Sequence, residues 1–300
     1  IGGLKLYQSV IADNVGESLS DNTKWTEINL LELSNVRAVN SDLDFGVAVS
    51  DVITLEEKHY ILNADTATAS RFVIPAGVSV KISSTNVFGY QLTTSNINTF
   101  FTVESGGSLF IDNMQIFGNA SATLADTDNG AMMLLNSCQF FTWGDLGTYR
   151  GEFLIMFNVG FFNFTNVMKF RTRTDAAVTN TSTVRFDGVF FDNQALNPAN
   201  IALDFQDSNL SRVIINGGGY TTGNNTTIFL FDETALEDDI NIFVRGFDIV
   251  GIPDANFASN SLKQDYVNSV FRGNSGIKDS TILVKIEFVG NTQNTPISVV

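Results

Sequence analysis

The chain has 300 residues, 44% of them apolar, and carries 32 acidic against 17 basic side chains for a net charge of −15. That acidity, with no basic run, excludes the electrostatic footprint of a nucleic-acid binder and makes an anionic membrane an unfit partner. One cysteine rules out an intramolecular disulfide, one histidine rules out a histidine-cluster metal centre, and no apolar run reaches the length of a membrane span, so neither a cofactor nor membrane insertion is expected.

The opening Ile1-Gly2-Gly3 shows no charged-then-apolar leader, so no signal peptide is expected. Residues 1–40 are expected to form a small β-module: the stretch from Leu6 to Ile28 reads as strand, a loop rich in Asn, Gly and Ser, then strand. Its Tyr7 and Ser9, followed by Asp21 and Trp25, give a frame that resembles small chitin-binding-like modules of phage tail fibres and secreted glycan-degrading enzymes. The resemblance implies sugar stacking on Tyr7 or Trp25; the residues alone favour a small aromatic core of the module, or rings that pack it on its neighbour.

Residues 41–276 are expected to fold as a solenoid with an N-terminal cap. Val52 to Leu62 reads as strands or a short helix covering the open end, with His59 a structural ring beside Tyr60. Phe72 to Ile82, split by Pro75-Ala76-Gly77, reads as the first coil.

From there the pattern Val184 to Phe191, V-R-F-D-G-V-F-F, recurs. Its anchors are Ile111, Leu135, Phe157, Phe186, Ile215, Val244 and Phe271, spaced by 24, 22, 29, 29, 29 and 27 residues. Apolar columns flank them until the last repeat: Leu109, Met133, Ile155, Val184, Val213, Ile242 and then Ser269 lie two before, and Ile116, Phe140, Phe162, Phe191, Tyr220, Ile249 and then Gly276 five after. The bend columns run Asp112, Asn136, Asn158, Asp187, Asn216 and then Asn113, Ser137, Val159, Gly188, Gly217, residue types that suit turns. Cys138 shares a column with Met114 and Val189, which assigns it to the core rather than to catalysis. A unit this short cannot bury its own apolar face, so coils must stack strand on strand around one elongated core.

The segment Phe101 to Gly118, F-T-V-E-S-G-G-S-L-F-I-D-N-M-Q-I-F-G, resembles the right-handed parallel β-helix proteins, the pectate-lyase-like architecture of polysaccharide-degrading enzymes and phage tail spikes. The resemblance implies an all-β solenoid and either glycan attachment or glycan cleavage. Phe is over-represented at 26 residues, with pairs such as Phe100-Phe101, Phe140-Phe141, Phe161-Phe162 and Phe190-Phe191. Each pair is read as one inward ring and one shelved between coils or at an interface.

Four excursions could carry function, because loops on a rigid scaffold vary freely. Ala125 to Gly130 places Asp126 and Asp128 like half a calcium loop, with a plain turn as the alternative. Thr142 to Glu152 combines Trp143, Tyr149 and Arg150 with Asp145 and Glu152, which fits a glycan groove on a lateral loop; the alternative is that the rings cover the coil below. Arg171 to Asp175 could meet a sugar carboxylate or form a salt-bridged face, and Phe231 to Asp239 is an acidic loop able to hold a cation or stay solvated. A glycosidase needs two carboxylates at a set separation, and Asp187 with Asp192 or Asp204 with Asp207 are the conceivable pairs. A column accepting Asn and Asp alike favours turn chemistry instead.

Residues 277–300 contain Thr281 to Val289, an alternating strand expected to join chains into a homotrimer. The expectation for function is a non-catalytic phage virion appendage, a tail fibre, spike or head fibre, partnered by host cell-surface glycan and other virion proteins and located in the extracellular virion. The alternatives are a tail-spike depolymerase and a bacterial surface adhesin.

Overall fold

The structure, a computed structural model, describes residues 35–85, 89–171, 183–193 and 212–222, with the strands Leu6–Ser9, Trp25–Ile28, Leu203–Asp204, Phe229–Leu230, Asn241–Arg245, Asp248–Val250 and Ile286–Val289. Leu6–Ser9 and Trp25–Ile28 pair antiparallel as a two-stranded sheet of their own. Every other described strand belongs to one continuous stack, and its long-range pairings are parallel.

The stack has three faces, as each coil contributes up to three strands. Face A runs through Val36–Val39, His59–Leu62, Ser79–Ser84, Ser108–Asp112, Met132–Asn136 and Phe153–Phe157. It continues in the first halves of Thr183–Asn193 and Arg212–Thr222 and in Asn241–Arg245. Face B runs through Thr66–Thr68, Gln91–Thr94 and Gln115–Phe117 to the first residues of Gln139–Tyr149 and Gly160–Phe170. Face C runs through Val52–Thr54, Arg71–Ile74, Thr99–Val103 and Thr123–Thr127 to the last residues of the same two long strands. The architecture is an all-β parallel β-helix.

Alternation builds the core. On face A the inward column is Tyr60, Ile82, Ile111, Leu135, Met156, Phe186 and Ile215, each essentially inaccessible and each in register with the next. Burying a side chain of this kind stabilises by about 1.5–3 kcal/mol, and stacking like on like lets one column repeat that gain. Phe186 and Ile215 are stacked neighbours, as the repeat predicts.

The register corrects one coil. Leu135 pairs with Met156, and Phe157 falls opposite Asn136 and Asp187, so the reading at this coil moves by one residue. The inward partners become Leu154, Met156, Val159 and Phe161 in place of Ile155, Phe157, Gly160 and Phe162. The corner between faces A and B shows why: Asn113, Ser137, Asn158, Gly188 and Gly217 all take left-handed φ, between 51 and 66°. Asn and Gly tolerate that conformation, and the column therefore aligns Asn158, not Val159, with Gly188.

Two ends also differ from expectation. The stretch Val52 to Leu62 supplies two strands of the helix rather than a cap, and Val36–Val39 already pairs in parallel with His59–Leu62, so the stack begins well before Phe72. Ile286–Val289 pairs with Asn241–Arg245, placing Phe288 opposite Val244; this part of the final strand is matched within its own chain. The expected anchor Phe271 lies outside the described residues.

Candidate functional site

Trp143 and Tyr149 were expected on a lateral loop, and the structure overturns that placement. Both belong to the strand Gln139–Tyr149, at 0% and 2% exposure. Trp143 pairs with Phe164 in the next coil, stands 5.8 Å from the Phe100 ring, and lies where a side chain on Gly118 would be. Tyr149 is opposite Phe170, with ring centroids 6.2 Å apart. Neither ring can be laid on a sugar. The cause is a single residue, Thr142, at φ 61° with Asn163 at φ 56° beneath it: the bend carries the strand from face B to face C without a loop, so Phe140 and Trp143 both point inward. Arg150 follows the strand, half-buried, and its amide N–H donates to Thr127 Oγ1 at 3.0 Å. Trp25 sits opposite Ser9 and Tyr7 opposite Glu27 in the N-terminal sheet. They therefore belong to a different sheet from Trp143.

Four carboxylates, Asp112, Asp126, Asp145 and Asp187, are engaged between coils. Asp112 Oδ1 accepts from Asn136 Nδ2 at 2.8 Å while its other oxygen meets Lys81 Nζ at 3.2 Å. Asp187 repeats the arrangement, accepting from Asn216 Nδ2 at 2.7 Å and from Arg185 Nε at 2.6 Å. Asp126 accepts from Thr99 Oγ1 and from the Thr148 amide, which spends on the ladder the carboxylate that a calcium loop would have used. Asp145 pairs with Lys169 at 2.7 Å. No group of three or more metal-ligating side chains occurs among the described residues. Arg171 Nη1 donates to the Phe170 carbonyl, whereas the rest of Arg171 to Asp175, Asp207 and the acidic loop at 231–239 lie outside the described residues.

The two candidate nucleophile-chemistry residues are structural. Burial pushes the Cys138 thiol up to about 12, and its Sγ donates to the Ile111 and Asn136 carbonyls. His59 Nε2 meets Ser83 Oγ at 2.7 Å, and burial, helped by Lys81, lowers the imidazole below its ordinary value. Asp112 is in register with Ser83 on the side away from His59 and is paired with Lys81, so no triad is assembled.

Sequence reasoning missed the outer side of face B. The Phe pairs divide as expected there: Phe140, Phe161 and Phe191 face inward as a stack with centroids 5.2 Å apart, whereas Phe141, Phe162 and Phe190 face out. Phe100 and Phe101 are both buried. Outside, Phe117, Phe141 and Phe162 stack at 4.7 and 5.0 Å, and beside them Gln91, Gln115 and Gln139 form an amide ladder. Next to Gln139 a cleft of about 260 Å³ opens beside Gly160, bounded by Asn158, Phe162, Phe190 and Asp192. The signal was the period-24 recurrence of Gln-apolar-Phe in Gln115-Ile116-Phe117 and Gln139-Phe140-Phe141, whose outer members the inward-facing columns ignored.

Comparison with protein families, with curated proteins and with solved structures gave no match, so the fold assignment stands on the strand register alone.

Proposed function

We propose that this chain is a bacteriophage virion appendage protein, a tail fibre, spike or head fibre, whose β-helix serves host-surface glycan attachment or structure without catalysis. It would act as a homotrimer alongside other virion proteins. One observation carries the non-catalytic reading: Asp112, Asp126, Asp145 and Asp187 each hold a neighbouring coil through a hydrogen bond or ion pair, so their charges stabilise the shaft. The resemblance of Phe101 to Gly118 to β-helical tail spikes supports the virion setting. The partner glycan follows from outward aromatic rings on a strongly acidic chain, which favours a neutral polymer over nucleic acid.

The test incubates the full chain with host-surface polysaccharide and follows both retention and new reducing ends. Retention without new ends is the expected outcome. Release of reducing ends would establish the depolymerase alternative instead, and a stable monomer in sedimentation at micromolar concentration would remove the trimer.

A further inference from the structure

The amide ladder on face B has a direction. Gln91 Nε2 donates to Gln115 Oε1 at 3.4 Å, and Gln115 Nε2 donates to Gln139 Oε1 at 2.9 Å. Each donor is consumed by the next coil until the last: the residue beneath Gln139 is Gly160, and Gln139 Nε2 has no partner among the described residues. One coil further the column holds Phe190, 53% exposed. The neighbouring outer column ends its Phe117-Phe141-Phe162 stack at Asp192. A chain selected only for a stable stack would continue either ladder. Here the two stop one coil apart, side by side on face B.

The cleft lies where the ladders end. The Phe162 ring covers Gly160, where a side chain on that residue would be. Beside it a volume of about 260 Å³ is walled by the rings of Phe162 and Phe190 and bordered by Gln139, Asn158 and Asp192 with side-chain amides and a carboxylate. Apolar walls with a few convergent polar groups are the general form of a small-molecule site, and the volume falls just below the roughly 300–1,000 Å³ of pockets for drug-sized ligands. The matching ligand has a flat apolar face for Phe190, an acceptor for the Gln139 amide and a hydroxyl donor for Asp192. A pyranose ring offers all three on one body. An anionic sugar would face the Asp192 carboxylate and the net charge of −15, so the ring is neutral.

We propose that this cleft is a binding site for one neutral hexopyranose unit of a glycan, with Phe190 as the stacking ring, the Gln139 amide as donor and Asp192 as acceptor. The inference rests on the attachment reading above and locates its contact away from Trp143 and Tyr149. The outer Phe141-Phe117 stack then lies alongside as a path for adjoining sugar units.

The test is saturation-transfer NMR of the full chain with methyl glucoside, galactoside and mannoside, alongside a glycan array, for the wild type, Phe190→Ala, Gln139→Ala and the face A control Phe153→Ala. Thermal melts confirm that each variant is folded. The expected result is wild-type binding with saturation strongest on the ring's C–H face, weakened about fivefold or more by Phe190→Ala and by Gln139→Ala and unchanged by Phe153→Ala. Wild-type binding with both face B variants unaffected overturns the cleft and leaves the attachment reading standing. Binding confined to uronic or sialic acids overturns the neutral assignment. Absence of binding to every glycan overturns the site and the attachment reading together.

Discussion

The coils between Thr66 and Asn96 and those between Gln139 and Phe191 fill the same cross-section differently: the earlier ones mix polar side chains with apolar ones such as Phe72, Ile82 and Leu92, the later ones rely on rings. In the earlier coils the interior includes Thr66, Thr68, Ser70, Ser83, Ser84, Thr94 and Asn96. Their polar atoms are spent locally: Thr66 Oγ1 donates to the Ala64 carbonyl, Thr68 Oγ1 accepts from the Ser70 amide, Thr94 Oγ1 accepts from the Asn96 amide, and Asn96 Nδ2 reaches the Ala69 carbonyl. In the later coils the column that starts at Thr66 passes through Leu92 and Ile116 to rings, with Phe140, Phe161 and Phe191 stacked, whereas the column of Thr68 and Thr94 leads to the Gly118 and Thr142 corner. The backbone ladder is common to both. The difference shows that the solenoid requires only that each inward position be satisfied, by hydrogen bonds among small side chains or by apolar area, and that one column can change from one to the other, as Thr66 does to Leu92.

The largest expected effect separates the regions by area. Phe161→Ala removes a ring held between two others, and Trp143→Ala empties the site beside Gly118 and Phe100; each should cost about 3–5 kcal/mol, read as a lowered chemical-denaturation midpoint. A Trp143→Ala chain as stable as the wild type would return that ring to the surface. The hydroxyl interior is sharpened by Thr94→Val, which keeps the shape but strips the Asn96 amide of its acceptor. A loss of about 1–3 kcal/mol is expected, and a neutral result would mean the apolar contact alone matters there.

The smallest effect is pH-dependent and belongs to the early coils. The folded chain keeps the His59 imidazole neutral to lower pH than the unfolded chain does, chiefly because it is buried. As pH falls below about 6.5 the unfolded state takes up the proton first, so stability declines and levels off once the folded-state value has been passed. His59→Gln should flatten that part of a melting-temperature profile between pH 7 and 5. A profile identical to the wild type would show that the carboxylates alone set it.

The face A columns were legible because Ile111, Leu135, Phe186 and Ile215 repeat an apolar type at the same distance from an Asn or Asp bend. The coil at Phe153–Phe157 was read one residue out because F-L-I-M-F is apolar on both faces, so periodicity could not choose between Met156 and Phe157. The left-handed Asn158 was the better marker. The inward turn of Trp143 was hidden more deeply: Thr142 is a β-branched residue, a type that seldom takes positive φ, and nothing in its identity announces a corner without a loop. The face B cleft escaped because it depends on how the Phe162 ring folds over Gly160 and how Phe190 follows one coil on, a relation visible only when the neighbours above and below are known.

The register described for the three faces also decides how the shaft carries load. Every ladder hydrogen bond points along the long axis, so a pull from end to end stretches the bonds of all three faces of one coil gap at the same moment, and they resist as a bundle. A pull applied sideways to one strand end meets the same bonds singly, from the edge inward, and peels the coil away. A tether on this protein therefore holds best when the force is aligned with the axis, and the Gln, Asn-Asp and Phe ladders, which cross the same gaps, add their resistance in that direction only.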